Sequence, residues 1–155
     1  MHITIIQVGK TKTPPIEILT NYYQKLLSPY AKIKIITIKP ATGTSITHEQ
    51  SKEAEAKIIL PLLNPTSFQI ALDEHGKIIT SNDFAKFIQQ KQLSGVSNLT
   101  FIIGGAFGLS QLILKKSDLN LSFSAMTFTH QMIRPLLFEQ LYRAFTIISG
   151  KTYHY

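Results

Sequence analysis

The tail Tyr153-His154-Tyr155 gathers the chain's densest set of groups able to move a proton or stack on a ring. An imidazole exchanges a proton near neutral pH, and tyrosine stacks on an unpaired base. Arginine is used only twice, at Arg134 and Arg143, both within the last 22 residues. Each offers a rigid fork of donors suited to a carboxylate or a phosphate. His130 and Arg134 are four residues apart, as are Glu139 and Arg143, so each pair shares a helix face. An ion pair with Glu139 is the structural alternative for Arg143. Arg134 and Arg143 are nine apart and point to opposite sides of a helix. One pocket can use both only if a second subunit supplies one of them.

Two further stretches have the composition of ligand loops. Gly104-Gly105-Ala106-Phe107-Gly108 follows an apolar run and precedes a helical one, where backbone N–H groups can meet an anionic or polar ligand. The structural alternative is a tight turn whose glycines take positive φ. Ser122 to His130 mixes small, hydroxyl and apolar side chains with neither a helical nor a strand period. Such a loop suits a flat heterocycle, with backbone groups on its edges and apolar side chains over its faces. Phosphate-loop readings fail: Gly9-Lys10-Thr11 has Thr4, and Gly150-Lys151-Thr152 has Phe145, where the motif needs glycine. A dinucleotide fingerprint would need glycine at Ile103.

The elements that must hold these groups alternate. Strands are predicted at Ile3 to Val8, Ile33 to Ile38, Phe68 to Leu72, Leu99 to Ile103 and Leu119 to Phe123. Between them fall helices at Ile16 to Leu27, Thr47 to about Leu63, Ser81 to Leu93 and Ser110 to Lys116, and a long one fills Gln131 to Ser149. Thr47 with Gln50 forms a capping box, Pro61 should kink or end its helix, and Ser81 is the expected cap of the third. Pro135 is tolerable only if the last helix starts near Met132, and His130 is expected to cap that start. The loop from Pro40 to Thr47 is expected to move, and Asp73-Glu74-His75-Gly76-Lys77 to end the third strand. This order calls for an α/β fold, a mostly parallel sheet flanked by helices on both faces. Ligands gather at the carboxyl ends of such strands, which singles out the loops after Leu72, after Ile103 and from Ser124 to Thr129.

Composition narrows the classes. The 155 residues suit one domain, 1–155. Hydrophobic residues at 44% against 16% charged exclude a disordered chain. Cysteine is absent, which excludes a disulfide framework, a thiolate nucleophile and a cysteine-ligated zinc. No apolar run approaches the ~18 residues of a membrane span, so the expected location is cytoplasmic with no membrane partner. The net charge is +7, and it is uneven. Residues 1–83 carry nine basic and seven acidic groups, whereas 84–155 carry seven and two. A basic half suits a polyanionic partner such as RNA.

Three stretches then form a recognisable pattern. They are Phe101 to Ser110, Leu121 to Arg134, and Glu139 to Phe145, joined by the start Ile6-Gln7-Val8-Gly9-Lys10 and the terminal Tyr153-His154. Together they resemble the bacterial 23S ribosomal RNA methyltransferases that modify N3 of a pseudouridine, a branch of the knotted SPOUT methyltransferases. The resemblance implies a homodimer with a C-terminal trefoil knot around S-adenosylmethionine, which leaves as S-adenosylhomocysteine, and no metal. Carried over residue by residue, the donor contacts Leu72, Gly104, Gly105, Ser124, Ala125, Met126, Thr127, Phe128 and Thr129. His154 is assigned as proton acceptor, Arg143 as a positioning or charge-stabilising group, and Tyr153 as the residue stacking on or hydrogen-bonding the target base. Implied partners are ribosomal RNA, the large subunit or the assembled ribosome. Two positions depart from the pattern: Tyr155 stands where a basic residue is usual, and Pro135 where an aliphatic one is. The rival readings are a non-catalytic basic RNA-binding or ribosome-associated protein, and a small nucleotide-dependent enzyme.

Overall fold

Apolar residues alternate sides along each central strand, so the sheet must be covered twice. In β1 (His2–Val8), Ile3 and Ile5 face one hydrophobic cluster while Ile6 and Val8 face another. In β4 (Asn98–Ile103), Phe101 and Ile103 join the first cluster and Ile102 the second. The computed structural model, which describes residues 1–41, 43 and 46–153, shows how both are filled. Helices α1 (Pro14–Leu27), α3 (Ser81–Leu93) and α5 (Ile133–Ile148) cover one face, and α2 (His48–Ile59) and α4 (Gln111–Lys116) the other.

The sheet is parallel throughout, in the order β2-β1-β4-β3-β5, with β2 at Lys32–Ile38, β3 at Phe68–Ile78 and β5 at Leu119–Ser122. The chain steps from β1 out to β2, crosses to β3, steps back to β4 and passes out to β5, so α1 and α4, which follow the neighbouring strands β1 and β4, cover opposite faces. The switch point lies between β1 and β4, and the crevice beyond it is where ligands bind in open α/β sheets.

Local signals explain most boundaries. Thr47 and Gln50 close their capping box at the start of α2. Pro61 ends that α-helix at Ile59 and leaves one 3-10 turn, Leu60–Leu62. The cap of α3 is Thr80, whose hydroxyl accepts from the Asp83 N–H, and not the expected Ser81. Helix α5 opens at Met132, which leaves Pro135 in the first turn, where the N–H it lacks has no helical partner. Thr42, Thr44 and Ser45, in the loop expected to move, lie outside the described residues.

The largest departure is β3. Asp73-Glu74-His75-Gly76 has the chemistry of a strand-ending turn, yet pairing to β5 resumes at Lys77 after a register shift. The reason is Gly76. A Cβ there would stand 2.8 Å from backbone atoms of Asn120 and Leu121, so only glycine lets the two strands close up again after the bulge.

Candidate active site

Three strand ends meet at one rim. Leu72 pairs with Ile103 on one side and Leu121 on the other, so the residues that follow β4, β5 and the regular half of β3 emerge side by side. They line a cleft of about 1300 Å³. Of the residues carried over from the resemblance, Leu72, Gly104, Gly105, Ser124, Met126, Thr127, Phe128 and Thr129 line it. Ala125 sits exposed on the same turn without lining it. Ile103, Leu109, Leu121 and Ile133 add apolar wall. A second hollow of about 680 Å³, between β3 and α3, holds none of the expected site residues.

The glycine turn is built by close approach more than by unusual dihedrals. Of the turn's glycines 104, 105 and 108, only Gly108 has positive φ, at 80°. At Gly104 a Cβ would lie 2.6 Å from the Gly108 carbonyl, and at Gly105 it would meet the Glu55 carboxylate at 3.1 Å. The Gly108 N–H donates to the Gly105 carbonyl at 3.2 Å, drawing the turn tight.

The Ser124–Thr129 turn holds itself with its own hydroxyls. Ser122 Oγ donates to the Ser124 carbonyl at 2.8 Å, and Ser124 Oγ accepts from the Met126 N–H at 2.8 Å. Thr127 Oγ1 donates to Glu74 Oε2 at 2.7 Å, tying the turn to the β3 bulge. The turn is therefore preorganised, with Met126 and Phe128 exposed along its crest. Apolar walls, tight backbone and a glycine that a side chain would displace suit a flat adenosyl group.

Arg134 does not reach this cleft. The residue is 1% exposed, and its guanidinium donates to the Val8 carbonyl (2.7 Å), the Gly9 carbonyl (2.8 Å) and Thr11 Oγ1 (2.7 Å). It pins α5 to the end of β1, and burial pulls its pKa down. His130 is half-buried, and burial with the neighbouring Arg134 charge lowers its pKa. It is not the expected cap: α5 has no side-chain cap, and the Met132 N–H meets Thr129 Oγ1 instead.

Arg143 and Tyr153 are brought together, but not into this cleft. Arg143 grips Glu139 Oε1 from Nη2 at 2.6 Å and Nε at 2.9 Å, the ion pair its spacing allowed. The same guanidinium lies 4.9 Å from the Tyr153 ring centre. The Tyr153 hydroxyl meets Tyr23 and Glu139, each at 3.3 Å, and its ring packs edge-on against Tyr142. Burial, reinforced by those partners, raises the phenol far above its usual pKa, so it stays protonated. His154 and Tyr155 lie outside the described residues.

Sequence reasoning passed over Glu55. It is 5% exposed, on α2 beneath the glycine turn. The available signal was its place four residues after Ser51 and four before Ile59, on the buried face of the helix. Among the described residues no group of three or more His, Asp or Glu is placed to hold a metal ion, and no helix is long and apolar enough to cross a membrane.

Comparison with known proteins places this geometry. The model of a family described as "Predicted SPOUT methyltransferase" matches residues 1–154. The chain belongs to the SPOUT methyltransferase family. Its relatives include proteins named ribosomal RNA large subunit methyltransferase H from Halothermothrix orenii, 48% identical, and Carboxydothermus hydrogenoformans, 45% identical, each over 99% of both chains. Among solved structures, a probable methyltransferase from Bordetella pertussis superposes with a TM-score of 0.60 at 10% identity, covering 92% of this chain and 95% of that one. A probable methylase family protein from Haemophilus influenzae gives 0.60 at 15% identity, covering 96% and 66%. These two likenesses bear on the fold alone. Membership of a methyltransferase family makes the chain an enzyme of methyl transfer and implies a donor of the S-adenosylmethionine type.

Proposed function

We propose that this protein methylates N3 of a pseudouridine in 23S ribosomal RNA. It acts in the cytoplasm as a single-domain homodimer on assembled ribosomes, with S-adenosylmethionine as donor and a C-terminal knot shaping the donor site. One observation carries the reading: the three turns singled out beforehand converge on one cleft, in a chain 48% identical over its length to a large-subunit ribosomal RNA methyltransferase.

The residues divide the work. Leu72, Gly104, Gly105 and the Ser124–Thr129 turn hold the adenosyl group and exclude water from it. Bound there, the donor supplies an electrophilic methyl group. N3 of pseudouridine is a poor nucleophile until its proton leaves, so a base must take that proton. His154 is the acceptor. Arg143 stabilises the resulting anion or a neighbouring phosphate, and Tyr153, held neutral, stacks on the base. Arg143 and Tyr153 stand together on α5 and the tail, away from the lining of their own cleft, so each homodimer active site takes its donor turns from one subunit and these groups from the other. Fixing the two reactants in register supplies much of the acceleration.

Mass spectrometry of ribosomal RNA tests this. Large-subunit RNA from a deletion strain is expected to lack one methyl on a pseudouridine, and purified protein with S-adenosylmethionine to restore it on assembled ribosomes. RNA of unchanged mass overturns the reading. Calorimetry showing no heat with the donor at high micromolar concentration would favour a non-catalytic RNA-binding protein instead.

A further inference from the structure

A buried carboxylate without a cationic partner sits directly under the glycine turn. Glu55 is 5% exposed, and among the described residues no Lys, Arg or His comes within ion-pair distance of it. Buried charges are normally paired, because leaving water costs several kcal/mol. What Glu55 has instead is backbone. Its Oε1 accepts from the Ala41 N–H at 3.2 Å and the Gly105 N–H also favours the carboxylate, while burial, the larger effect, raises its pKa. Both carboxylate oxygens stand 3.1 Å from where a Gly105 Cβ would be, so any other residue at 105 would crowd them.

One face of α2 builds this arrangement. His48, Ser51 and Glu55 share that face. The His48 ring stacks on Phe107 with centres 3.8 Å apart, Ser51 Oγ donates to the Ala41 carbonyl at 2.7 Å, and Glu55 takes the two N–H groups. The glycine turn is thus gripped at Gly105 and at Phe107. Among the described residues no peptide bond is cis, so the Gly104 carbonyl points opposite to the Gly105 N–H, away from Glu55. An N–H bonded to an anion makes the carbonyl of its own peptide a stronger acceptor. Gly104 lines the cleft.

We propose that Glu55 is a specificity-determining residue for the methyl donor: its charge, relayed through the Gly104–Gly105 peptide, makes the cleft prefer a cationic adenosyl ligand to the neutral one left after transfer. This rests on the donor-binding reading above. It explains why this chain tolerates an uncompensated carboxylate at this place. The ligand brings the missing positive charge, and losing that charge on transfer favours release.

Calorimetric titration with S-adenosylmethionine and S-adenosylhomocysteine tests it. The unmodified protein is expected to bind the cationic ligand more tightly. Glu55→Gln keeps the volume and removes the charge, and should cut that preference about tenfold, the scale of one charge-assisted hydrogen bond. Ser51→Ala loosens the same grip on Ala41 without touching Gly105, and should keep the preference. A Glu55→Gln protein with an unchanged ratio overturns the proposal even if both affinities fall, and so does a shifted ratio in Ser51→Ala. Equal binding of the two ligands by the unmodified protein overturns it without any variant. Failure of the unmodified protein to bind either one overturns the donor-binding reading itself, a distinguishable result.

Discussion

At the scale of single residues, geometry separates groups that build the cleft from groups that would act in it. Gly104→Ala would place a methyl 2.6 Å from the Gly108 carbonyl. The turn must then open, at about 1–3 kcal/mol of stability, with donor affinity falling more than about tenfold by calorimetry. His154→Ala is expected to do the opposite: donor affinity within about twofold of the parent and methylation of ribosomes reduced by about 100-fold or more, the usual worth of a general base. Equal activity in that variant would remove His154 from the mechanism. His130 gives a pH prediction. Its folded pKa lies below the usual 6.5, so below that value the unfolded chain binds the proton more readily than the folded one. Stability is full above about pH 6.5 and falls as acid carries the protein down towards the folded pKa. The melting temperature should therefore drop less on acidification in His130→Gln than in the parent.

At the scale of elements, the alternation of strands and helices was legible because each period is local. The rim of three turns was legible because it follows from where parallel strands end. What escaped were contacts made across the chain. Asp73-Glu74-His75-Gly76 carries turn residues, and nothing nearby tells that β5, more than forty residues on, takes the strand up again. The buried state of Glu55 depends on two loops that meet only in the folded sheet. The position of Tyr153 against Tyr23, 130 residues away, likewise depends on how α1 and α5 pack. Individual donor contacts came from family likeness, not from pattern. The bulge yields its own prediction. Gly76→Ala has backbone atoms, not a flexible side chain, in its way. It should cost about 2 kcal/mol or more in chemical denaturation, with amide exchange of Leu121 and Ser122 accelerating first.

At the scale of the whole molecule, Phe107, Met126, Phe128 and Met132 stand 46%, 76%, 41% and 37% exposed around the cleft and the start of α5. Apolar groups clustered at a ligand cleft mark a contact surface, which fits the proposed homodimer. Sedimentation should show a dimer at micromolar concentration, and Met132→Asp should shift it towards monomer with little change in melting temperature and loss of methylation. A monomeric parent that still methylates ribosomes would sink the shared active site. Arg134 has a consequence of another kind. It joins α5 to carbonyls 125 and 126 positions earlier, so the end of β1 is held in place only once α5 has been made. Chains fold from the N-terminus as they are synthesised, but this tie, and the wall that Ile133 adds to the cleft, form only after α5 has left the exit channel.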